Sequence, residues 1–535
     1  AKAATLQQIA RTHLGRGGQE AVASALQVSR EALVLCQKSG DRRGEGASWH
    51  GIAQAQAARG EHEEAARAAK EAHRLGAHVG DRRLRAEALS CLGEACLAQG
   101  HTVDAIAAAT EALELFRELG SASQEALALS TVVSARLTNA EPSEALRTAK
   151  EAHQRARRSG SLKGEAVALA AVAKVCIHIR APLEATQALH NAQAIYRKLK
   201  DRQQEAVVLT SAINAHLLTG EVEDALRAAK EARAICREIK DRRQEASVLE
   251  LVTQIHTECG ELGSAIDSAR GMVAALDDLG DRTAAGHARQ TVADLHLERG
   301  EAAEAIRAGR EACAAFRAAG DGPSEAASLY QVARAHLDRH QTMMDTIGGY
   351  EMNPRLLPKE DPREAIVAAI RARSLFKQAG DIAMEMESLH LAANANLAKH
   401  EHREALRLAD EALMLARRAK DKPAEASCQL LCAQMYAVQG RWAVAFRSVE
   451  ASRTLFEELG NDEGRGAADN YEGVLRDAAR EAGYFEQRDR KTAFSDRVGG
   501  RACFAGARED AYERKAGGPS GLYNRKAFPW TKPQQ

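Results

Sequence analysis

Residues 81–120 read DRRLRAEALSCLGEACLAQGHTVDAIAAATEALELFRELG, and this stretch decides the fold. Asp81 can accept hydrogen bonds from the free backbone N–H groups that open a helix. Leu89, Leu92, Gly93, Cys96 and Leu97 then fall at i, i+3, i+4, i+7 and i+8, an apolar face at helical period. Gly100 stops that helix. A second helix follows, with Ala105, Ala109, Ala112, Leu113 and Phe116 on one face. Gly120 ends it, suited to the left-handed backbone that follows a helix terminus. The stretch predicts two antiparallel helices of about 16–18 residues each.

The phrase returns along the chain. Gly40-Asp41, Gly80-Asp81, Gly280-Asp281 and Gly320-Asp321 share a 40-residue spacing, and Lys200-Asp201, Lys240-Asp241, Gly120-Ser121 and Gly160-Ser161 fill the same slots. After one slip of 20 residues it resumes at Gly380-Asp381, Lys420-Asp421 and Gly460-Asn461. A fixed period of this length predicts a solenoid of stacked units, each touching only its neighbours. Reading it through gives eleven helix pairs and a lone helix over 462–480 that would cap the stack. The expected fold is all-α, with no sheet.

Small residues hold the second helix of each pair in register. Ala65, Ala105, Ala145, Ala185, Ala225, Ala265, Ala305, Ala365, Ala405 and Ala445 share one slot. Ala72, Ala112, Ala152, Ala192, Ala232, Ala312, Ala372 and Ala412 share another, seven residues on. Alanine at both places lets helices approach near the lower end of the ~8–10 Å range.

On these residues the chain resembles a tetratricopeptide-repeat protein. Leu89, Leu92, Gly93, Cys96, Gly100, Ala105 and Ala112 carry the likeness, and it extends over about residues 1–480. The repeat length resembles that of kinesin light chains and the Leu-Gly-Asn-type adaptor proteins. The resemblance implies a right-handed superhelix with a concave wall, and protein or peptide partners. Two slots depart from the pattern: the first-helix aromatic is His or Cys here, and the second-helix aromatic is Ala at Ala69, Ala109, Ala149 and Ala229.

Composition narrows the function. Lys+Arg and Asp+Glu are both 74, so no overall field favours nucleic acid or an anionic membrane surface. No apolar run approaches the ~18 residues of a membrane span. The ten cysteines show neither zinc-finger nor redox spacing and read as small buried hydrophobes. This usage fits a reducing intracellular compartment, either cytoplasm or an organelle interior after loss of a transit peptide. Leu6, Ile9, Ala10, His13, Leu14 and Gly17 align with Leu89, Leu92, Gly93, Cys96, Leu97 and Gly100, so the chain is expected to begin inside a helix, past its cap. No nucleophile motif, phosphate loop, HExxH or paired-carboxylate signature occurs, so we expect no catalytic residues, no cofactor and no small-molecule substrate.

Three columns merit attention. His13, His216, His256, His296 and His336 share a slot with Cys96 and Cys176. Equivalent residues of adjacent repeats stand roughly 10 Å apart, too far to share one zinc, so the column reads as core rather than metal site. Gln54, Glu94, Ser134, Lys174, Asn214, Gln254, Asp294, Arg334, Asn394 and Gln434 form a polar ladder on the first helices. The resemblance implies that this slot faces the groove, where it would hydrogen-bond a partner segment. Arg67, Arg147, Arg227, Arg307, Arg407 and Arg447 share a second-helix slot, with Glu71, Glu151, Glu231, Glu311 and Glu411 four residues on, which predicts exposed i,i+4 pairs.

Two segments break the period. The insert over 341–360 carries Met343, Met344, Tyr350 and Met352, which suit a contact surface. The tail over 484–535 has a local charge of +5 and carries Tyr484, Phe485, Phe494, Phe504, Tyr512, Tyr523, Phe528 and Trp530. Spaced rings in a basic segment resemble a strap whose anchors fill pockets on another protein. The domains are therefore a solenoid over 1–483 and a tail over 484–535. The expected function is a non-enzymatic scaffold, a subunit of a large multiprotein assembly held in part by its tail. The alternatives are an adaptor that captures peptides in its groove and, behind it, an RNA-associated repeat protein.

Overall fold

The computed structural model describes residues 2–16, 19–346 and 360–485. The chain divides into two compact units, Ala1–Cys259 and Gly260–Gln535. In the first, the helices are α1 (Lys2–Arg16), α2 (Gln19–Ser39), α3 (Arg42–Ala58), α4 (His62–Val79), α5 (Arg82–Ala98), α6 (Thr102–Glu118), α7 (Ala122–Thr138), α8 (Pro142–Ser159), α9 (Leu162–His178), α10 (Pro182–Leu199), α11 (Arg202–Thr219), α12 (Val222–Glu238) and α13 (Arg242–Glu258). In the second they are α14 (Leu262–Leu279), α15 (Arg282–Glu298), α16 (Ala302–Ala319), α17 (Gly322–Thr346), α18 (Glu360–Ala379), α19 (Ile382–Ala398), α20 (His402–Ala419), α21 (Lys422–Val438), α22 (Trp442–Glu458) and α23 (Asp462–Glu481). No strand occurs among the described residues.

Each helix packs on the helix before it and the helix after it within its unit. Successive odd helices also touch one another in both units, and no successive even helices make comparable contact. The odd helices therefore crowd together on one wall of each unit, and the even helices splay on the other.

The even-to-odd turns are built as the sequence predicts. Asp41, Asp81, Ser161, Asp201, Asp241, Asp281, Asp321, Asp381, Asp421 and Asn461 each accept a hydrogen bond from a first-turn N–H of the following odd helix. Ser121 makes no such side-chain bond. The preceding residue is left-handed throughout, mostly Gly, as at Gly80 (φ 72°). Lys200, Lys240 and Lys420 hold the same backbone at φ 55°, 58° and 58°, where a Cβ is strained. Replacing any of these lysines with Gly is expected to stabilise its unit by roughly 0.5–1 kcal/mol, read from denaturant melts. An unchanged or lowered midpoint would contradict this account of the turn.

The alanine columns form the hairpin interior. Ala65, Ala105, Ala145, Ala185, Ala225 and Ala265 have no accessible surface, and the rest of that slot is equally buried. Approach is close at Gly93, where an added Cβ would lie 3.2 Å from the Ala109 Cβ and 3.3 Å from its backbone N. Ala69, Ala109, Ala149 and Ala229, in place of the expected aromatics, are buried against the same helices. Larger rings enter singly: Phe116, Tyr196, Phe316, Phe456 and Tyr471 are all fully buried. The last helix, α23, covers α22 and buries Tyr471 and Leu475. Tyr484 and Phe485 continue this closure, with the Phe485 ring 6.2 Å from Phe446.

On the even helices the arginine column pairs differently from expectation. Arg67 bonds Glu63, Arg227 bonds Asp224 and Arg307 bonds Glu304, each with the acid three or four residues earlier. Arg147 takes Glu144 at 2.6 Å over Glu151 at 3.8 Å. Arg407 takes Glu404 at 2.5 Å over Glu411 at 3.6 Å. An acid N-terminal to its base is the favoured helical orientation, and it wins wherever both are offered.

Candidate functional site

The polar ladder lies on the odd-helix wall. In the first unit Gln54, Glu94, Lys174, Asn214 and Gln254 are exposed, and Ser134 is half-buried. In the second unit Asp294, Arg334 and Asn394 are half-buried and Gln434 is buried. Adjacent rungs reach each other: Lys174 Nζ donates to Ser134 Oγ at 2.7 Å, one repeat away. Burial pushes the Glu94 carboxyl up and the Lys174 ammonium down, although water touches both side chains. Protein packed around both side chains at longer range accounts for both effects.

The second unit adds residues that the ladder slot alone did not mark. Gln331 Nε2 donates to Asp294 Oδ1 at 2.8 Å, and the Tyr330 hydroxyl donates to Glu387 Oε2 at 3.5 Å. Tyr330 lies one turn before Arg334 on α17, and Glu387 two turns before Asn394 on α19. Their signal was in the sequence, at fixed offsets from the ladder. Burial raises Asp294 to about 6, against the Gln331 bond and the nearby Arg334, which lower it. The folded protein thus holds this proton up to a higher pH than the unfolded chain, whose carboxyl titrates near 3.8. Stability must fall as pH rises from about 4 to about 6, because the folded state binds more protons in that window. Asp294→Asn is expected to raise the stability of the second unit at pH 7 by on the order of 1 kcal/mol, with the gain gone below about pH 4. A gain independent of pH in denaturant melts would show that ionisation is not its cause.

The histidine column has a role beyond packing. His216 Nδ1 meets Glu221 Oε2 at 2.8 Å, His296 Nδ1 meets Glu301 Oε2 at 2.8 Å, and His336 Nδ1 meets Asp361 Oδ1 at 2.8 Å. Each acid opens the even helix of the same hairpin. Glu221 and Glu301 make no cap bond with their carboxylates and latch the preceding helix instead. Arg270 Nη2 lies 3.3 Å from His296 Nε2, and Arg310 Nη2 lies 3.3 Å from His336 Nε2. Cys96 and Cys176, in the same slot, are buried.

Asp361 closes the insert. It is 4% exposed, takes both Oδ atoms to Arg339 Nε at 3.0 Å, and receives a further bond from Arg339 Nη2. Burial alone would raise its pKa, but the bonds from Arg339 and His336 outweigh it and hold the carboxyl below the usual range. Burial, opposed by Asp361, lowers the His336 pKa, so the imidazole is neutral, with Nδ1–H on Asp361 and Nε2 facing Arg310. The first six insert residues, Gln341–Thr346, extend α17. Met343 and Met344 are half-buried there, and Tyr350 and Met352 lie outside the described residues. The tail anchors Phe494, Phe504, Tyr512, Tyr523, Phe528 and Trp530 lie outside them as well.

Most cysteines follow expectation. Cys36, Cys91, Cys96, Cys176, Cys236, Cys313, Cys428 and Cys432 are buried, and burial pushes the Cys91 and Cys428 thiols up to about 12. Cys259 is exposed, a departure that follows from its place at the C-terminal end of α13. One group has metal-ligand proximity among the described residues: donor atoms of His216, Glu221 and Asp224 lie within 4.8 Å of one another. Asp224 is already paired with Arg227, and Glu221 with His216.

No protein-family model matches the chain, and no curated protein sequence matches it. Several solved structures resemble it. One is a Signal Transduction ATPase with Numerous Domains with a tetratricopeptide repeat sensor from Pyrococcus horikoshii, at 15% identity, 72% of this chain, 55% of that one and TM-score 0.44. This chain thus spans about half the length of that protein. Another is aspartyl phosphate phosphatase F from Bacillus subtilis, at 13% identity, 69% of this chain, 93% of that one and TM-score 0.36. A third is a set of nearly identical TPR-like repeats from Podosopora anserina, at 16% identity, 40% of this chain, 95% of that one and TM-score 0.33. These scores are low, and the class rests on the chain's own repeats: paired helices, a capped Asp turn, a left-handed Gly and two buried alanine columns. By these features the protein is a tetratricopeptide-like α-solenoid. No helix among the described residues is long and apolar enough to cross a membrane.

Proposed function

We propose that this chain is a non-enzymatic protein-interaction scaffold that receives a segment of another protein on the odd-helix wall of its first unit. The observation that carries this reading is the exposed ladder of Gln54, Glu94, Lys174, Asn214 and Gln254. These side chains point away from the alanine interior and offer donors and acceptors in a row set by the repeat, as an extended or helical ligand requires. The tail supports a place in a larger assembly. Its rings stand in a basic segment, and exposed rings at that density are a liability unless another surface covers them.

The test uses the full chain with a photo-reactive phenylalanine analogue at Asn214 on the odd wall or at Lys230 on the even wall. Partners are expected to crosslink from Asn214 and not from Lys230. Replacing Asn214 and Gln254, both exposed on that wall, with Ala should weaken those partners, at a stability cost within ~0.5 kcal/mol each. Crosslinking confined to Lys230 would move the binding face to the even helices and end the groove reading. If crosslinks vanish only on removal of residues 486–535, the assembly is held by the tail.

A further inference from the structure

The odd wall of the first unit carries a second row. Seven residues before Ser134, Lys174 and Asn214 stand Leu127, Val167 and Val207, on the same faces of α7, α9 and α11. Leu127 is 54% exposed, Val207 41%, and Val167 is half-buried. The same register on neighbouring odd helices holds Ala47, Glu87 and Ser247, so the apolar row is confined to three consecutive helices. Between the two rows lie short side chains: Ser130, Ala170 and Thr210.

The dimensions define a trough. Seven residues along an α-helix cover about 10 Å, and a helix with its side chains is about 10–12 Å across. Three odd helices at about 10 Å spacing give a track of roughly 20 Å, or about 13 residues of bound helix. One edge of the trough is aliphatic. The other is polar, with Lys174 at its centre. Lys174 Nζ bonds the Ser134 hydroxyl at 2.7 Å, and no carboxylate pairs with it among the described residues. Lys174 is exposed, so an incoming carboxylate can reach a cation that has no counter-charge beside it. A cationic partner would face the same ammonium with no acid beside it.

We propose that α7, α9 and α11 bind an amphipathic helix of a partner protein, its aliphatic side chains on Leu127, Val167 and Val207 and an acidic side chain on Lys174. This rests on the reading of the odd wall as a protein-binding face and specifies the chemistry of the segment it takes.

The experiment titrates the full chain into two fluorescein-labelled synthetic helices of 18 residues. Both carry Leu along one edge, and the opposite edge carries Glu in one probe and Lys in the other. The Glu probe is expected to bind at least tenfold tighter at low salt, and Lys174→Glu should reverse the order. Leu127→Ser and Val207→Ser should each weaken the Glu probe at least fivefold without altering the helical circular dichroism or the melting midpoint, since both side chains are exposed. Lys174→Gln should remove the preference between the probes without reversing it. Equal binding of the two probes, or a preference that survives Lys174→Glu, overturns the proposal. Self-association that Leu127→Ser abolishes would assign the row to a second copy of the chain and overturn it too. If the probes fail while Asn214 still crosslinks a partner, this inference falls and the groove reading stands.

Discussion

Ala225→Trp is expected to destabilise the first unit by about 3 kcal/mol or more and to melt the hairpin around α12 ahead of its surroundings. Ala225 has no accessible surface and lies in a cluster with Leu209, Ile213, Ala229, Ala232 and Ile255. Those neighbours belong to α11, α12 and α13, so a ring at 225 must push α12 off both adjacent helices. Nothing nearby can collapse to make room, because the slot is already packed with alanine and branched aliphatics. The effect should stay local, since each helix touches only near neighbours in the stack. Hydrogen exchange is the suitable measurement: protection should vanish over 202–258 while α3 to α6 and the second unit keep theirs. A single cooperative loss of all helicity in circular dichroism would contradict the solenoid energetics. Ala225→Ser, which adds one atom, serves as the mild control.

The fold was legible because its signals repeat. One 40-residue phrase gave the caps, the left-handed turns, the small-residue columns and the number of hairpins, and each repeat checked the others. What stayed hidden depends on side-chain choices between competing neighbours. Arg147 has an acid on both sides in sequence, and only the built helix shows Glu144 winning at 2.6 Å. From sequence the histidine column reads as packing, because the spacing between repeats excludes contact among its members. The partner was five residues ahead, across the hairpin turn, at Glu221 and Glu301. The apolar row of Leu127, Val167 and Val207 stands at a fixed offset from the ladder, but three aliphatics in eleven repeats make a weak periodic signal.

The candidate site was legible only as a column of positions. Sequence placed the ladder on one helix face. It did not show that Gln331 would bond Asp294, or that the same slot is mostly exposed in the first unit and half-buried or buried in the second.

Asp361 hid for a different reason, and its removal should have the other large effect. His296 and Glu301 are five residues apart, as are His216 and Glu221, but His336 and Asp361 are separated by 25 because the insert intervenes. Removing the 20 residues 341–360 would restore the spacing of five, so the insert interrupts one latch in sequence. Asp361→Ala leaves the buried His336 Nδ1–H without an acceptor and the part-exposed Arg339 without its carboxylate, a loss expected to cost about 2–3 kcal/mol. Asp361→Asn keeps an acceptor for the His336 Nδ1–H but loses the charge, and should cost less. The sign of the pH effect follows from the depressed carboxyl. Its stabilisation is full above the unfolded pKa near 3.8 and is lost as pH falls through the lower folded value, so mutant and wild type should converge in strong acid. The decisive comparison is a chain lacking 341–360. If Asp361 is the latch, this chain should fold as stably as the full protein, and Asp361→Ala should damage it as much as it damages the parent. If that deletion alone unfolds the second unit in denaturant melts, the insert itself is holding the hairpin, and the latch is secondary to it.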